Sequence, residues 1–436
     1  LNPGKKNKRP GKAQMFWYPL DNAAKIYPAT ISNESPAVFR LSAILANPVK
    51  IKSFLKAVSK AQKRFPYFKV QLKKGFFWYY LEHKPFRFPV EADRAEFCRK
   101  FSNAELLMRI LVRENQISVE FSHVLTDGVG AFEFLKTILV LYSLELGVQI
   151  PLDFEYLKPG DPIQEVEYQD SYLHYFKEEI PPMVKRSKSF HLPWPLKSLP
   201  RLRVKNFFVS VDEVKNLAAD KAVSINDYLV SVYLYLLQEI YEECKIPKRS
   251  KKFKHIRIQV PINLRNIFPS KTMRNFSLFV MPEIDLRLGH YSFDEIIKTV
   301  YHQIRLESDE KLINKNISRN VGSEKKLYVK SMPLFLKSFI LKMIYYSLGT
   351  KQYSGVITNL GRVDLPSEMA GLIDHFIFTP PPPNKMLKVC CGIIGFGDQL
   401  VLSFGNITKS TKLEEKFIQF FKEQGVQVSD EPVKKQ

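Results

Sequence analysis

Phe39, Leu41, Ala43 and Leu45 alternate with Arg40, Ser42 and Ile44. A repeat of two is the side-chain spacing of a pleated strand, and it predicts one apolar and one mixed face here. Asn47-Pro48 then marks a helix start, because proline lacks an amide hydrogen that the first helical turn leaves unbonded anyway. Ile51, Phe54, Leu55, Val58, Ala61 and Phe65 follow at helical steps and outline an apolar face. Two hairpins are predicted next, one turning at Lys74-Gly75 before the aromatic run FFWYYLE and one turning near Asn115-Gln116.

The second half repeats this mixture after a proline-rich basic stretch, HLPWPLKSLPRLR (191 to 203). A strand near 204 to 211 leads to a helix after Ser224, where Ser224 and Asp227 have capping-box spacing and Tyr228, Val232, Leu236 and Ile240 mark one face. Ile256, Ile258, Val260 and Ile262 alternate as a strand, and Ser292 with Glu295 caps a further helix. Strands are expected near 355, 375, 388 and 400, and a closing helix (411 to 424) ends before Gly425. The fold class read from this order is α/β (α+β), with no short-period repeat and no regular βαβ alternation. The expected division is a basic tail (1 to 14), an N-terminal lobe (15 to 185), a linker (186 to 203) and a C-terminal lobe (204 to 436).

Composition narrows this picture only at a few points. With 436 residues, 45% hydrophobic and 25% charged, the chain is long enough for sizeable cores and is neither a disordered tail nor a low-complexity linker. Four cysteines, two of them adjacent (Cys390, Cys391), make no disulfide framework and no zinc pattern. The net charge of +22 gathers in 1 to 14, 185 to 205 and 245 to 257. Such clusters are either a solvated basic surface or a surface for nucleic acid, anionic lipid, nucleotide-bearing cofactors or acidic proteins. No apolar run reaches the roughly 18 to 20 residues of a membrane span, and no apolar stretch follows the N-terminal basic residues, so a cytoplasmic location is expected. The segment MPLFLKSFILKMIYYSLG (332 to 349) is expected as a buried helix, with a helix lying on a membrane surface as the alternative. The aromatic run Phe76 to Tyr80 is expected as a buried hairpin rather than a base-stacking platform, and no nucleic-acid partner is expected.

The segment NQISVEFSHVLTDGVGAFEFLKTILVLYSLEL (115 to 146) carries the candidate chemistry. Ile117, Val119 and Phe121 alternate with Ser118, Glu120 and Ser122, which puts His123 in phase with the apolar face, pointing inward. Asp127-Gly128 opens a helix whose face reads Phe132, Leu135, Leu139, Tyr142 and Leu146. Spacing alone leaves two readings. His123 is a satisfied core histidine behind an Asp127 cap, or it is a reactive imidazole held rigidly at a strand-to-helix turn. No Walker A pattern, no G-x-S-x-G elbow and no metal-ligand spacing of the other histidines competes with it, so no metal is expected.

SHVLTDG (122 to 128) resembles the H-x-x-x-D-G active-site motif of the chloramphenicol acetyltransferase and condensation-domain superfamily of CoA-dependent acyltransferases. Four further segments resemble its bacterial alcohol acetyltransferase-like branch: YPLDNAAKIYPA (18 to 29), GFFWYYLE (75 to 82), VPINLRNIFPSKTMRNFSLFV (260 to 280) and VITNLGRVDLP (356 to 366). The resemblance covers nearly all of the chain after residue 15. It departs from the frequent pattern of two successive histidines, since Ser122 precedes His123.

The resemblance implies two chloramphenicol-acetyltransferase-like lobes of mixed sheets and helices with an active-site tunnel between them. His123 would act as general base on an alcohol or amine acceptor attacking an acyl thioester, acetyl among the candidates, with no covalent intermediate, no metal and no permanently bound cofactor. Asp127 would hold the loop in shape by pairing with an arginine, for which Arg265 is the candidate. Oxyanion donors would come from backbone amides near Gly128 or from Asn359, which reads equally as a turn residue before Gly361. Acyl-CoA is the expected co-substrate, and an acidic acyl carrier protein is the alternative donor. A basic membrane- or nucleic-acid-binding protein on the same scaffold, without chemistry, is the rival from another class, and peripheral membrane contact fits either reading.

Overall fold

In the computed structural model the described residues are 16–179, 186–244 and 254–432, without the side chains of residues 347 and 348. The basic tail 1–14 and most of the basic cluster 245–257 lie outside them.

The first half runs β1 (Trp17–Pro19), α1 (Tyr27–Thr30), β2 (Val38–Leu45), α2 (Ile51–Arg64), β3 (Val70–Lys74), β4 (Tyr79–His83), β5 (Val90–Ala92), β6 (Met108–Arg113), β7 (Gln116–Ser122), α3 (Gly128–Glu145) and α4 (Ser171–His174). The second continues with β8 (Arg203–Ser210), α5 (Val211–Asp220), α6 (Ile225–Glu243), β9 (His255–Asn263), β10 (Ser277–Val280), β11 (Glu283–Asp285), α7 (Phe293–Glu307), α8 (Glu310–Lys325), α9 (Leu327–Ser331) and α10 (Leu334–Ile344). It closes with β12 (Gly355–Arg362), β13 (Ile373–Thr379), β14 (Val389–Phe396), β15 (Gln399–Asn406) and α11 (Lys412–Glu423). The capping boxes expected at Ser224/Asp227 and Ser292/Glu295 are formed at α6 and α7. Helix α2 begins at Ile51, not at Pro48, and leaves Ile51 and Leu55 exposed while Phe54, Ala57, Val58 and Ala61 are buried.

Among the described residues three sheets form, ordered β1-β4-β3, β13-β2-β7-β6-β5, and β10-β9-β12-β14-β15-β8 with β11 on β9. This mixed α/β arrangement forms two lobes, but they do not divide at a single linker. Strand β13, from deep in the second half, runs antiparallel to β2 and completes the sheet of the first lobe. The chain then returns to the second lobe at β14, where a Cβ on Gly392 would lie 2.6 Å from the Phe378 carbonyl oxygen, so only glycine lets the two sheets meet this closely. The 186–203 stretch expected as a linker is itself packed. Ser189 bridges to His255, Lys197 N donates to the Ile407 carbonyl at 2.9 Å, and Phe190 and Leu192 are buried.

Burial completes the picture of β2 and overturns two further expectations. The mixed face of β2 is buried. Arg40, Glu120 and Arg109 stand opposite one another across β2, β7 and β6, all buried. Glu120 accepts from Arg40 Nε at 2.8 Å, from Arg109 Nε at 2.7 Å and from the Cys98 amide at 2.7 Å, while Asp93 takes Arg40 Nη1 at 2.8 Å. The tip of the aromatic hairpin is exposed at Phe76 and Phe77, because β3 and β4 end before it. Helix α10 also turns most of its apolar residues outward. Among the described residues no helix is long and apolar enough to cross a membrane.

Truncating Glu120 strands two guanidinium groups in a dry sheet face, one of them with no other carboxylate within reach. Glu120→Ala is expected to lower the unfolding free energy by about 3–5 kcal/mol in urea titration. A loss under about 1 kcal/mol would show that water reaches this face.

Candidate active site

Strand β7 lies in the middle of its sheet and delivers the chain to a tight turn. The His123 amide donates to the Ala37 carbonyl at 2.9 Å, the Leu125 amide to the Ser122 carbonyl at 2.8 Å, and Val124 to Thr126 are buried. The His123 ring sits between the rings of Tyr27 in α1 (5.4 Å between centroids, 14° between planes) and Phe39 in β2 (4.6 Å, 38°). Part of the residue stays accessible, yet Nδ1 is enclosed and has no hydrogen-bond partner. Burial pushes the imidazole down to about 4, and the charge of Asp127, together with the nearby polar Thr126 backbone and Asn275 side chain, only partly opposes it. The ring is therefore neutral at pH 7. Burial also pushes the Tyr27 hydroxyl upward, so its stacked neighbour carries no charge either.

Asp127 caps α3 from an extended backbone, with Oδ1 accepting from the Gly130 amide at 3.1 Å. Its Oδ2 accepts from Arg265 Nη1 at 2.9 Å and from the Phe276 amide at 2.8 Å, and Arg265 Nη2 reaches Oδ1 at 3.3 Å. Arg265 and Phe276 both belong to the loop 264–276 that closes the β9–β10 hairpin of the second lobe. The guanidinium also donates to the Thr272 carbonyl at 3.0 and 2.9 Å and to the Arg274 carbonyl at 2.6 Å. Its donors are thus spent on one carboxylate and on its own loop. With side chains only 8% and 11% exposed, this is a buried, bidentate ion pair between lobes.

The same loop holds the His123 turn at two more points and also ties it to Asp21. Thr126 Oγ1 donates to the Met273 carbonyl at 2.5 Å, and Asn275 Nδ2 donates to the His123 carbonyl and to Asp21 Oδ2, both at 3.0 Å. Asp21 is fully buried and also accepts from the Ala24 amide at 2.7 Å, with Arg274 at 3.4 Å; burial raises its carboxyl. The first turn of α3 is crowded on both sides. A Cβ on Gly128 would lie 2.6 Å from Leu360 Cδ2, and one on Gly130 would lie 2.3 Å from both the Met273 carbonyl oxygen and Thr126 Oγ1.

Of the residues singled out from sequence, His123, Asp127, Gly128 and Arg265 come together. Asn359 lies beside Leu360, which packs on Gly128, but its Oδ1 accepts from the Gly361 amide at 2.8 Å, where φ is +80° and the β12–β14 register slips. That bond engages the amide oxygen, and the amide NH2 is a separate donor. Sequence reasoning missed Asp21, Tyr27, Phe39, Thr126, Gly130, Arg274 and Asn275. Asp21 and Tyr27 lie in the segment 18–29 and Arg274 and Asn275 in 260–280, so the segments were marked while their roles were not. Two cavities lie elsewhere: one of about 470 Å³ beside Lys136, Asp153 and Glu368, and one of about 170 Å³ beside Phe86, Arg87 and Phe101. Neither is lined by His123.

No family model and no curated protein matches the chain. Solved structures match along nearly its whole length. The epimerization domain from the third module of tyrocidine synthetase B is 12% identical at a TM-score of 0.57, covering 96% of this chain and 97% of its own. The trichothecene 15-O-acetyltransferase TRI3 of Fusarium sporotrichioides is 10% identical at 0.60, covering 96% of each chain. F. graminearum TRI101, in complex with coenzyme A and deoxynivalenol, is 11% identical at 0.62, covering 95% and 99%. The chain thus has the two-lobed fold shared by this epimerization domain and these fungal proteins.

Removing Arg265 leaves a buried carboxylate without its cation. Arg265→Ala is expected to cost about 3–5 kcal/mol in urea unfolding, and Arg265→Lys to restore only part of it, since an ammonium cannot bond both carboxylate oxygens in this geometry. Gly130→Ala is expected to be destabilising as well, because its Cβ meets a backbone carbonyl; an unchanged Tm for Gly130→Ala would mean the loop 264–276 yields freely.

Proposed function

We propose that the chain is an acyltransferase whose general base is His123. The observation that carries this reading is a neutral, desolvated imidazole fixed at the β7–α3 turn, beside an aspartate already committed to an arginine of the other lobe. With Nδ1 enclosed, Nε2 is the nitrogen that faces a reacting group. It takes the proton from an acceptor hydroxyl or amine as the oxygen or nitrogen bonds to the thioester carbonyl carbon. The resulting oxyanion then collapses, the carbon–sulfur bond breaks, and the departing thiolate takes the proton from the imidazolium. The amides of Gly128 and Val129, first in α3, have no carbonyl four residues earlier in the helix to bond, and supply donors where the oxyanion charge develops. Asp127 and Arg265 are positioning residues here, since both Asp127 oxygens are occupied away from the imidazole.

The donor in this reading is acyl-CoA, in keeping with the bound coenzyme A of TRI101 and the acetyltransferase TRI3 on the same fold. An acyl carrier protein is the second reading, supported by the likeness to an epimerization domain and to starter condensation domains and by the net charge of +22, which attracts an acidic partner. The acceptor in either case is an alcohol or amine.

The test is thiol release from acetyl-CoA and longer acyl-CoAs with a panel of alcohols and amines. Acceptor-dependent release is expected, falling by about 10²–10⁴-fold in folded His123→Ala. Release that survives in His123→Ala would remove the base from this scheme, and release only from an acylated carrier protein would select the second donor.

The pH profile follows from the same imidazole. Its folded-state value, about 4, lies below the ordinary 6.5, so the neutral form persists as pH falls through 6. The acid limb of kcat/KM is expected below pH 6, between about 4 and 6. A limb at 6.5 or above would show that substrate or water resolvates the ring.

A further inference from the structure

Helix α10 is inverted with respect to the rule for a helix on a globular surface. Phe335, Phe339 and Met343 stand one turn apart on its outer face, 68%, 64% and 56% exposed, and Leu336, Ile340 and Ile344 form an adjacent exposed stripe. The buried side chains of α10 are Leu334 and, unusually, Lys337. The Lys337 ammonium points inward, donating to the Phe77 carbonyl at 3.0 Å and the Lys330 carbonyl at 3.2 Å and lying 4.0 Å over the Trp78 ring. The Leu334 amide bonds the Phe76 carbonyl at 2.9 Å, so the exposed tip of the β3–β4 hairpin continues the apolar face. On α9, Leu327 and Tyr328 are exposed as well.

Charge tells what covers this face. Residues 325–351 hold six lysines and no aspartate or glutamate, and Lys325, Lys326, Lys330 and Lys342 are exposed. The cations border the apolar stripes instead of interrupting them. A second copy would bring like charges together. An anionic bilayer surface meets both demands, taking the apolar stripes below the headgroups and the ammonium groups among the phosphates. At about 1.5 Å per residue, α10 is too short to cross a bilayer and long enough to lie in its interface.

We propose that α9, α10 and the β3–β4 tip form a peripheral membrane-docking face for bilayers that carry anionic lipid. The face lies close to the candidate site. Helix α10 packs on α1, whose Tyr27 stacks on His123. The docking itself does not depend on acyl transfer, so it stands or falls on lipid binding alone.

The test is co-sedimentation of the whole chain with phosphatidylcholine vesicles, with and without about a third phosphatidylserine. Binding to the anionic vesicles, weakened by salt, is expected. Phe335→Ser/Phe339→Ser is expected to weaken it about ten-fold or more, and Lys330→Gln/Lys342→Gln about five-fold for each charge removed. All four side chains are exposed, so both variants should keep the wild-type Tm. Failure of the wild type to bind anionic vesicles overturns the proposal. So does binding that survives unchanged in Phe335→Ser/Phe339→Ser, which would assign it to the basic segments elsewhere. Dimerisation, or capture of an acidic carrier protein, that is lost in the same variant while vesicles are ignored would give the face to a protein partner and equally overturn it.

Discussion

The carboxylate of Asp127 is where the two lobes become one structure. Its two oxygens take bonds from the first turn of α3, from the Arg265 guanidinium and from the Phe276 amide. Two of these three partners belong to a loop of the other lobe. In a site this poorly solvated, neither charge is tolerable without the other, so the loop 264–276 and the turn 123–127 order together or not at all. The bonds from Thr126 to Met273 and from Asn275 to the His123 carbonyl follow from that docking, and Gly130 leaves the room for it while Gly128 makes room for Leu360 of β12.

Burial, opposed by the charge of Asp127, sets the electrostatics of His123. A free carboxylate near the imidazole would favour the imidazolium. Asp127 still pulls in that direction, but its charge is shared with Arg265, and the rings of Tyr27 and Phe39 remove water from the histidine. Burial wins and the ring stays neutral, the form a base needs before it receives a proton. The second buried charge cluster, Arg40–Glu120–Arg109, lies in the same sheet and pairs its opposite charges through cross-strand register. It holds β2, β7 and β6 in line behind the site.

The outward face of α10 belongs to another kind of constraint. The buried side of this helix includes an ammonium held by backbone carbonyls, and its water side carries phenylalanine, leucine and isoleucine, the reverse of an ordinary surface helix. The sequence pattern shows that apolar residues are concentrated there. It does not show which way they point.

What this chain's sequence determined by itself is local. The strands at 38–45 and 116–122, the capping boxes at Ser224/Asp227 and Ser292/Glu295, and the H-x-x-x-D-G turn are all set by spacings of two to five residues, which neighbouring backbone geometry enforces directly. Even the partner of Asp127 was nameable, as Arg265, though only because a resemblance marked its segment. Tertiary structure decided the rest. It put β13 into the sheet of the first lobe, buried the charged side of β2, and turned the hairpin tip and α10 outward. Each of these depends on which distant surface meets which. Periodicity fixes the faces of an element, and only packing fixes what covers them.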